Sequence, residues 1–433
     1  MRETSRTSRR TFLARSSAAA GAVLAGNLSI ARSAHAAGSD VLRAALVGCG
    51  NRGRGAAVDW LEADPRCRLV ATADAFTGQA ETAARLLEKR FPDRVDVGDR
   101  TFAGLDNGEE AIASDCDVVL MCEPPGFRPR NYAAAVAAGR HVFMEKPVCV
   151  DAPGYRRVLA ANALADEKGL RVVVGLQRRH DPQRVESAQR IQEGALGRLM
   201  FTRVYWNGSG VRHRTGQPDD TPMERQIRSW YYFTWLSGDH ICEQHVHNLD
   251  IGNWVMGDRH PVEANGMGGR QVRKGPEYGM IYDHHFVEFT YDDGAKMFSQ
   301  CRQIPNCWNS VSEHAHGTAG DSNCDGRIDG EHAWSYEGPR VNPMKQEHVN
   351  LVEAIVNGKP LNDGHHGATA SFTAVLGRMA AYSGQIVRWD EAVDQGPDLW
   401  PERLAWDADP PVLPDADGGY EGSVAQPGIY RAY

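Results

Sequence analysis

Lys146 stands in Glu145-Lys146-Pro147, directly after the apolar run His141 to Met144, and Glu243, His247 and Asp250 follow one another at i, i+4 and i+7. That second spacing places three ionisable side chains on one face of a helix. Oxidising a carbinol needs a group that takes the hydroxyl proton and a cation beside the developing alkoxide. His247 is expected to be the principal proton acceptor or donor, Lys146 its electrostatic partner at the reacting oxygen, and Glu243 and Asp250 the groups that orient substrate or imidazole. His245, Gln177 and Arg178 are further candidates for contact with substrate hydroxyls.

A departing hydride needs an acceptor, and the sequence supplies a cradle for one. Gly48-Cys49-Gly50-Asn51-Arg52-Gly53 follows the apolar run Val41 to Val47 and opens a helix-like segment from Gly53 to Leu61. One glycine makes the tight turn, the second lets the backbone approach a pyrophosphate, and the third lets helix and strand pack closely. The phosphates then rest on the helix N-terminus. Asp74 ends the next apolar run, Leu69 to Ala73, about twenty residues on, where a carboxylate accepts hydrogen bonds from the adenosine ribose hydroxyls. It would repel a 2'-phosphate, so NAD is expected rather than NADP. Gly48, Gly50, Asn51, Arg52, Gly53, Asp74, Pro124, Glu145 and Lys146 are the expected cofactor contacts.

These side chains need a scaffold. The first half of the chain alternates apolar runs with helical patterns, as a parallel doubly wound sheet requires. Val118 to Cys122 reads as a buried strand, Tyr132 to Ala138 as a helix, His141 to Met144 as the next strand, and Pro153 to Lys168 and Val172 to Gly175 as the helix and strand that finish the region. Lys146 then lies at the C-terminal end of a parallel strand, where ligands bind in open α/β sheets. Alternating strands follow at Leu199 to Tyr205, Phe286 to Tyr291 and Lys296 to Gln300, with a polar loop from Asn207 to Pro222 and an aromatic cluster from Trp230 to Trp235. The expected fold is α/β: an N-terminal Rossmann dinucleotide-binding domain (37–165) and a C-terminal α/β domain with a largely antiparallel open sheet (166–390), whose late helices can pack back on the first domain. A Pro, Gly and Asp-rich arm (391–433) is expected to pack on the body or on a neighbouring subunit.

Residues 1–36 read as a twin-arginine export signal: Ser8-Arg9-Arg10-Thr11-Phe12-Leu13, a weakly apolar stretch from Ala18 to Ile30, and the small-residue site Ala34-His35-Ala36. That route carries folded proteins, so a dinucleotide can be loaded in the cytoplasm and kept; the expected location is periplasmic. No later run reaches the roughly eighteen apolar residues of a lasting membrane anchor. The chain has 433 residues, 42% of them apolar, and a formal charge of −8, with no basic patch of the kind nucleic acid requires. Its nine cysteines are scattered, with Cys49, Cys116 and Cys122 in or beside expected core strands. No disulfide framework is expected, and Cys301 and Cys307 are the spacing to check.

Together, the glycine turn, Pro124-Pro125 after a core strand, Ala138-Gly139-Arg140-His141-Val142 leading into Glu145-Lys146-Pro147, and His247-Asn248-Leu249-Asp250 resemble the Gfo/Idh/MocA family, named for glucose-fructose oxidoreductase, inositol dehydrogenase and the rhizopine-catabolism protein. The resemblance covers nearly the whole chain beyond the signal. It implies a Rossmann domain followed by an α/β domain whose open sheet is a substrate platform or oligomer interface, and hence homodimers or homotetramers. Glucose-fructose oxidoreductase is similar in being exported by a twin-arginine signal with its cofactor held tightly. In the family an aspartate usually stands at the Glu243 position and a glycine at the His245 position. Both departures put a further ionisable group in the pocket.

His240, Glu243, His245 and His247 depart from H-E-x-x-H and from H-x-x-E-H, so no metal is expected there. Asp321 to Gly326 begins like a calcium loop, but position twelve is His332 rather than glutamate, and a hairpin-rich loop is the better reading. Tyr282, His284, His285, His314 and His316 are weaker pocket candidates. Three functional readings follow: an NAD-dependent oxidoreductase acting on a sugar, polyol or sugar derivative; a glycoside hydrolase that uses bound NAD transiently, by oxidation, elimination, water addition and re-reduction; and a silent sugar-binding protein, disfavoured because Lys146 and His247 are both present.

Overall fold

A computed structural model describes residues 41–211, 216–217 and 219–433 of the chain. The export signal expected over residues 1–36 lies outside these residues.

The first sheet holds β1 (Leu42–Val47), β2 (Cys67–Asp74), β3 (Thr101–Ala103), β4 (Val118–Met121), β5 (His141–Met144) and β6 (Val172–Val174) in the order β3-β2-β1-β4-β5-β6. All its pairings are parallel. Both faces are covered by helices, so the strands are near-continuous apolar runs rather than alternating ones. Ala45 and Val47 of β1 belong to one buried cluster and Ala44 and Leu46 to another. The order reverses between β1 and β4, so the ligand crevice opens beyond the C-terminal ends of these two strands. The sheet runs on to Val174, past the expected boundary at 165. The late helix Pro343–Val356 contributes Leu351, Val352 and Ile355 to the core that holds Ala57, Trp60 and Leu61 of the helix Asn51–Ala63.

The second sheet holds β7 (Leu199–Gly208), β8 (Glu263–Gly269), β9 (His284–Thr290), β10 (Lys296–Gln303), β11 (Ser310–Gly317), β12 (Gly320–Ser322), β13 (Arg327–Gly330), β14 (Trp334–Ser335) and β15 (Val387–Arg388). Their order is β14-β13-β12-β11-β7-β10-β9-β8-β15, antiparallel except for β7 beside β10. Burial alternates along β9 and β10, as a sheet with one covered face requires. The covering helix is Gly364–Ser383, buried along most of its length. A methyl at Gly367 would lie 2.8 Å from Val174, and one at Gly377 2.8 Å from the Phe289 ring, so small residues let this helix touch both sheets. On the other face Trp308, beside Tyr205, is 62% exposed. Asp321 and Ser322 pair with β13 in the expected hairpin.

The arm packs on the body of its own chain. Trp400 meets Phe127 edge-on at 5.2 Å, Trp406 lies 5.7 Å from Phe76, and Tyr420, Ala425 and Ala432 are buried. Among the described residues no helix is long and apolar enough to cross a membrane, and the nine cysteines are free, with Cys301 buried and Cys307 exposed.

Candidate active site

The glycine turn sits at the end of β1 and faces the end of β4. Gly48 has φ +87°, and a methyl on it would lie 2.3 Å from the Glu123 backbone nitrogen. A methyl on Gly53 would lie 1.8 Å from the Gly48 carbonyl oxygen, so the helix can begin this close to the strand only without a side chain there. Gly50 differs: φ is −65° and a methyl would meet nothing within 4 Å. The space beside its backbone is where a pyrophosphate fits. The helix Asn51–Ala63 starts without a side-chain cap and without an acidic residue in its first turn, which leaves its N-H groups and dipole for an anion. Asp74 braces the turn from β2: its carboxylate accepts from the Cys49 N-H at 2.8 Å and from the Phe76 N-H at 3.0 Å. These features fit a dinucleotide.

A cavity of about 850 Å³ runs from Gly48, Gly50 and Asp74 past Pro124 to Tyr231, Glu243 and Gln244. Asn51, Arg52 and Gly53 also line it. Arg52 is shared between the Glu145 carboxylate, Glu347 at 3.2 Å and Asp59 at 3.4 Å. Burial pushes the Glu145 carboxyl up, but Arg52 and then Lys146 outweigh it and hold it below the ordinary carboxylate range. Burial, and then Glu145 itself, push Glu347 well up. Glu145, expected to touch the cofactor, is 7% exposed and locks the glycine helix to the end of β5 through Arg52.

Lys146 Nζ donates to the Glu243 backbone carbonyl and, at 2.9 Å, to the Glu243 carboxylate. This contact explains a departure from the expected single helix. The segment is divided into His240–Glu243 and Val246–Val255. At the break the Gln244 and His245 N-H groups both bond to the His240 carbonyl, and the Glu243 carbonyl is left to Lys146. Glu243 therefore turns to the cavity with Lys146 behind it. His247 is 7% exposed, stacks on Trp206 at 5.9 Å and has no partner for Nδ1. Burial, reinforced by the Lys146 charge and then those of Arg178 and Arg52, pushes its pKa well down and keeps the imidazole neutral. Lys146 and His247 are not themselves in the wall of the cavity; Glu243 is.

Two expected substrate contacts are placed elsewhere. Asp250 is 1% exposed and both its oxygens accept from Arg179 Nε at 2.9 Å. His245 is fully buried, bonded to Ser299 of β10 at 2.8 Å, and burial lowers its pKa to about 3. Both are withdrawn from the surface that a sugar could reach. Arg178 is held by Glu313 but lies 6.0 Å over Trp206, the ring that stacks on His247, and Gln177 is half-buried in the same turn after β6. His240, Glu243, His245 and His247 do not converge: Glu243 faces Lys146, His245 Ser299, and His247 Trp206. His316 stacks on Phe201 on the open sheet face at 4.6 Å.

Several residues in or beside the cavity were not singled out from sequence. Glu123 stands two residues beyond the end of β4; burial raises its pKa and its Oε2 has no partner. Its position after the strand beside the switch point was the signal. Gln303 donates to both Tyr231 Oη at 2.6 Å and Gln244 Oε1 at 2.8 Å, a link between segments far apart in the chain. The Arg228 guanidinium lies 3.9 Å over Phe76, next to Asp74, and Trp406 closes the same corner from the arm.

Residues 42–176 match the family described as an oxidoreductase family with an NAD-binding Rossmann fold. The chain is 30% identical over 148 residues to a myo-inositol dehydrogenase of Streptomyces leeuwenhoekii, a match covering 34% of this chain and 39% of that protein. It is 25% identical over 199 residues to an inositol 2-dehydrogenase of Rhizobium meliloti, covering 46% of this chain and 49% of the relative. Over 285 residues it is 25% identical to a scyllo-inositol 2-dehydrogenase (NAD(+)) of Bacillus subtilis, covering 64% and 72% respectively. The matches thus span about two fifths to a half of the first two relatives. Among solved structures, the fold is shared with the aldose-aldose oxidoreductase of Caulobacter crescentus (TM-score 0.63, 18% identity, 81% of this chain and 100% of that one). It is shared also with a levoglucosan dehydrogenase in complex with NADH and levoglucosan (TM-score 0.62, 17% identity, 81% and 99%).

Proposed function

We propose, from the match of residues 42–176 to the oxidoreductase family with an NAD-binding Rossmann fold, that the chain transfers a hydride to or from a hydroxyl-bearing carbon of a sugar, polyol or sugar derivative, with its NAD tightly held. The observation that carries this reading is the cavity itself. One end is the glycine cradle with Asp74, and the other presents Glu243 in contact with Lys146. Bound NAD supplies the hydride acceptor. Gly50 and the N-terminus of Asn51–Ala63 hold its phosphates and Asp74 its ribose. Lys146 stabilises the alkoxide that forms as the hydroxyl loses its proton, and Glu243, already bonded to Lys146, accepts that proton. Neutral His247, beside the Lys146 charge, is the second base.

Closure of the groove by Arg228 on Phe76 and by Trp406 favours a second reading, in which the cofactor is restored within each cycle and the chain cleaves a glycoside by oxidation, elimination, water addition and re-reduction. Export through the signal in residues 1–36 to the periplasm accords with a resident cofactor. Assembly into homodimers or homotetramers through the open sheet face accords with the exposed Trp308. One experiment separates the two readings: purified protein without added cofactor is given a panel of nitrophenyl glycosides, and in parallel NAD with free sugars and inositols. NADH formation only in the second arm supports dehydrogenation, and aglycone release in the first supports hydrolysis. Silence in both arms, with bound NAD present, overturns both readings.

A further inference from the structure

Asp239, His240 and His285 bring one ligand atom each to within 4.8 Å of one another, and the three residues are 0%, 0% and 3% exposed. The mechanism uses none of them. His285 Nε2 lies 3.3 Å from Asp239 Oδ2, and His240 Nε2 lies 3.9 Å from Asp239 Oδ1. Two ligand atoms at the zinc bond lengths of about 2.0–2.1 Å, on a tetrahedral angle, stand roughly 3.3 Å apart. Both ring nitrogens of His240, and Nδ1 of His285, are buried without any partner. An imidazole withdrawn completely from water and bonded to nothing is the exception that calls for an explanation. Asp239 is one of the few non-glycine residues with positive φ, at +78°, and this backbone turns its carboxylate inward. The carboxylate is fixed from behind by the Tyr382 hydroxyl at 2.6 Å and the Tyr282 N-H at 3.0 Å, the kind of outer support that ligating carboxylates have.

We propose that Asp239, His240 and His285 bind a zinc ion. Two imidazoles and one carboxylate match the donor preference of zinc, and a site without the several oxygen donors of calcium or magnesium disfavours those ions. With the metal bound, His285 carries its single ring proton on Nδ1 so that Nε2 takes the metal, and Asp239 keeps its bonds to Tyr382 and Tyr282. The site is closed, so its role is to pin the start of the segment that carries Glu243, three residues on, to the second sheet.

The test is metal content and metal uptake of the full chain. Protein grown with zinc is measured by plasma mass spectrometry. Nucleotide-containing wild type is then stripped with chelator, checked for fold by circular dichroism, and titrated with zinc and with cobalt. We expect about one zinc per chain, uptake by the stripped protein, and the visible bands of tetrahedral cobalt. His240→Ala and His285→Gln each reduce zinc affinity by more than about tenfold, because losing a ligand costs at least as much as the 10–100-fold typical of losing its outer-shell partner. His245→Gln, altering an equally buried histidine bonded to Ser299, retains it. Stripped wild type that is folded but takes up neither ion overturns the proposal, as does zinc that persists unchanged in both His240→Ala and His285→Gln. The stripped wild type keeps the test decisive if those variants fail to fold.

Discussion

Alanine at Gly50 and alanine at Gly53, three residues apart, should have opposite consequences. At Gly50 the backbone angles, φ −65° and ψ −173°, are open to alanine, and the methyl meets no atom within 4 Å. The gain from a less flexible unfolded chain, about 0.4–1 kcal/mol, is offset by the loss of a tolerated N-cap glycine, which is of similar size. Stability without nucleotide should therefore change by less than about 1 kcal/mol. The methyl does, however, occupy the space from which a phosphate reaches the N-H groups of the turn. Losing one hydrogen bond to a charged group, about 1.5–3 kcal/mol, weakens NAD binding roughly 10- to 150-fold. At Gly53 the methyl would stand 1.8 Å from the Gly48 carbonyl oxygen, far inside the 3.0 Å below which Cβ atoms are essentially never found. Turn and helix must then separate, at a cost of about 3 kcal/mol or more, typical of overpacking in a closed site. Urea unfolding of nucleotide-free protein, together with titration calorimetry against NAD, reads both quantities. Wild-type affinity in Gly50→Ala, or wild-type stability in Gly53→Ala, would refute this account of the cradle.

Lys146→Met and Glu243→Gln should keep NAD binding while lowering turnover by about 10²–10⁴-fold; full turnover in either variant removes that residue from the chemistry. His245 supplies a pH prediction. Its folded pKa of about 3 lies below its unfolded value of 6.5 because of burial. Above pH 6.5 both states are neutral; as the pH falls the unfolded chain takes up a proton that the fold refuses, so stability is lost between pH 6.5 and about 3. The slope is up to about 1.4 kcal/mol per pH unit, and urea midpoints of His245→Gln should be flatter by that amount; identical pH profiles would contradict it. Trp406→Ala removes one aromatic contact at the closed corner of the groove, worth about 0.5–1.5 kcal/mol. Release of bound NADH, followed by its fluorescence, should become roughly 2- to 12-fold faster, and an unchanged rate would show that the arm does not retain the cofactor.

The strands of the first sheet were legible because burial on both faces leaves an unbroken apolar run, as in Val118 to Met121. The glycine turn was legible because Gly48 and Gly53 answer local steric demands and Gly50 leaves room for a pyrophosphate. The long helix Gly364–Ser383 was not, since a helix buried on every side carries no amphipathic stripe. Helical spacing grouped Glu243, His247 and Asp250 on one face, but the break between them depends on Lys146, distant in sequence, reaching the Glu243 carbonyl. The fates of His245 and Asp250 were likewise decided by Ser299 and Arg179, partners that no local pattern announces. Asp239 and His285 lie in different segments, so their meeting at His240 has no signature in spacing.

Leu351, Val352 and Ile355 share a core with Trp60 and Leu61, and this bears on how the protein is born. On the ribosome the strands of the first sheet emerge early, but one of their faces, packed by Trp60, Leu61 and Leu87, is completed only when the helix Pro343–Val356 has left the exit tunnel. The walls of the nucleotide groove also wait, for Arg228 and then for Trp406. The cradle is thus among the first parts of the chain to be made and among the last to be finished.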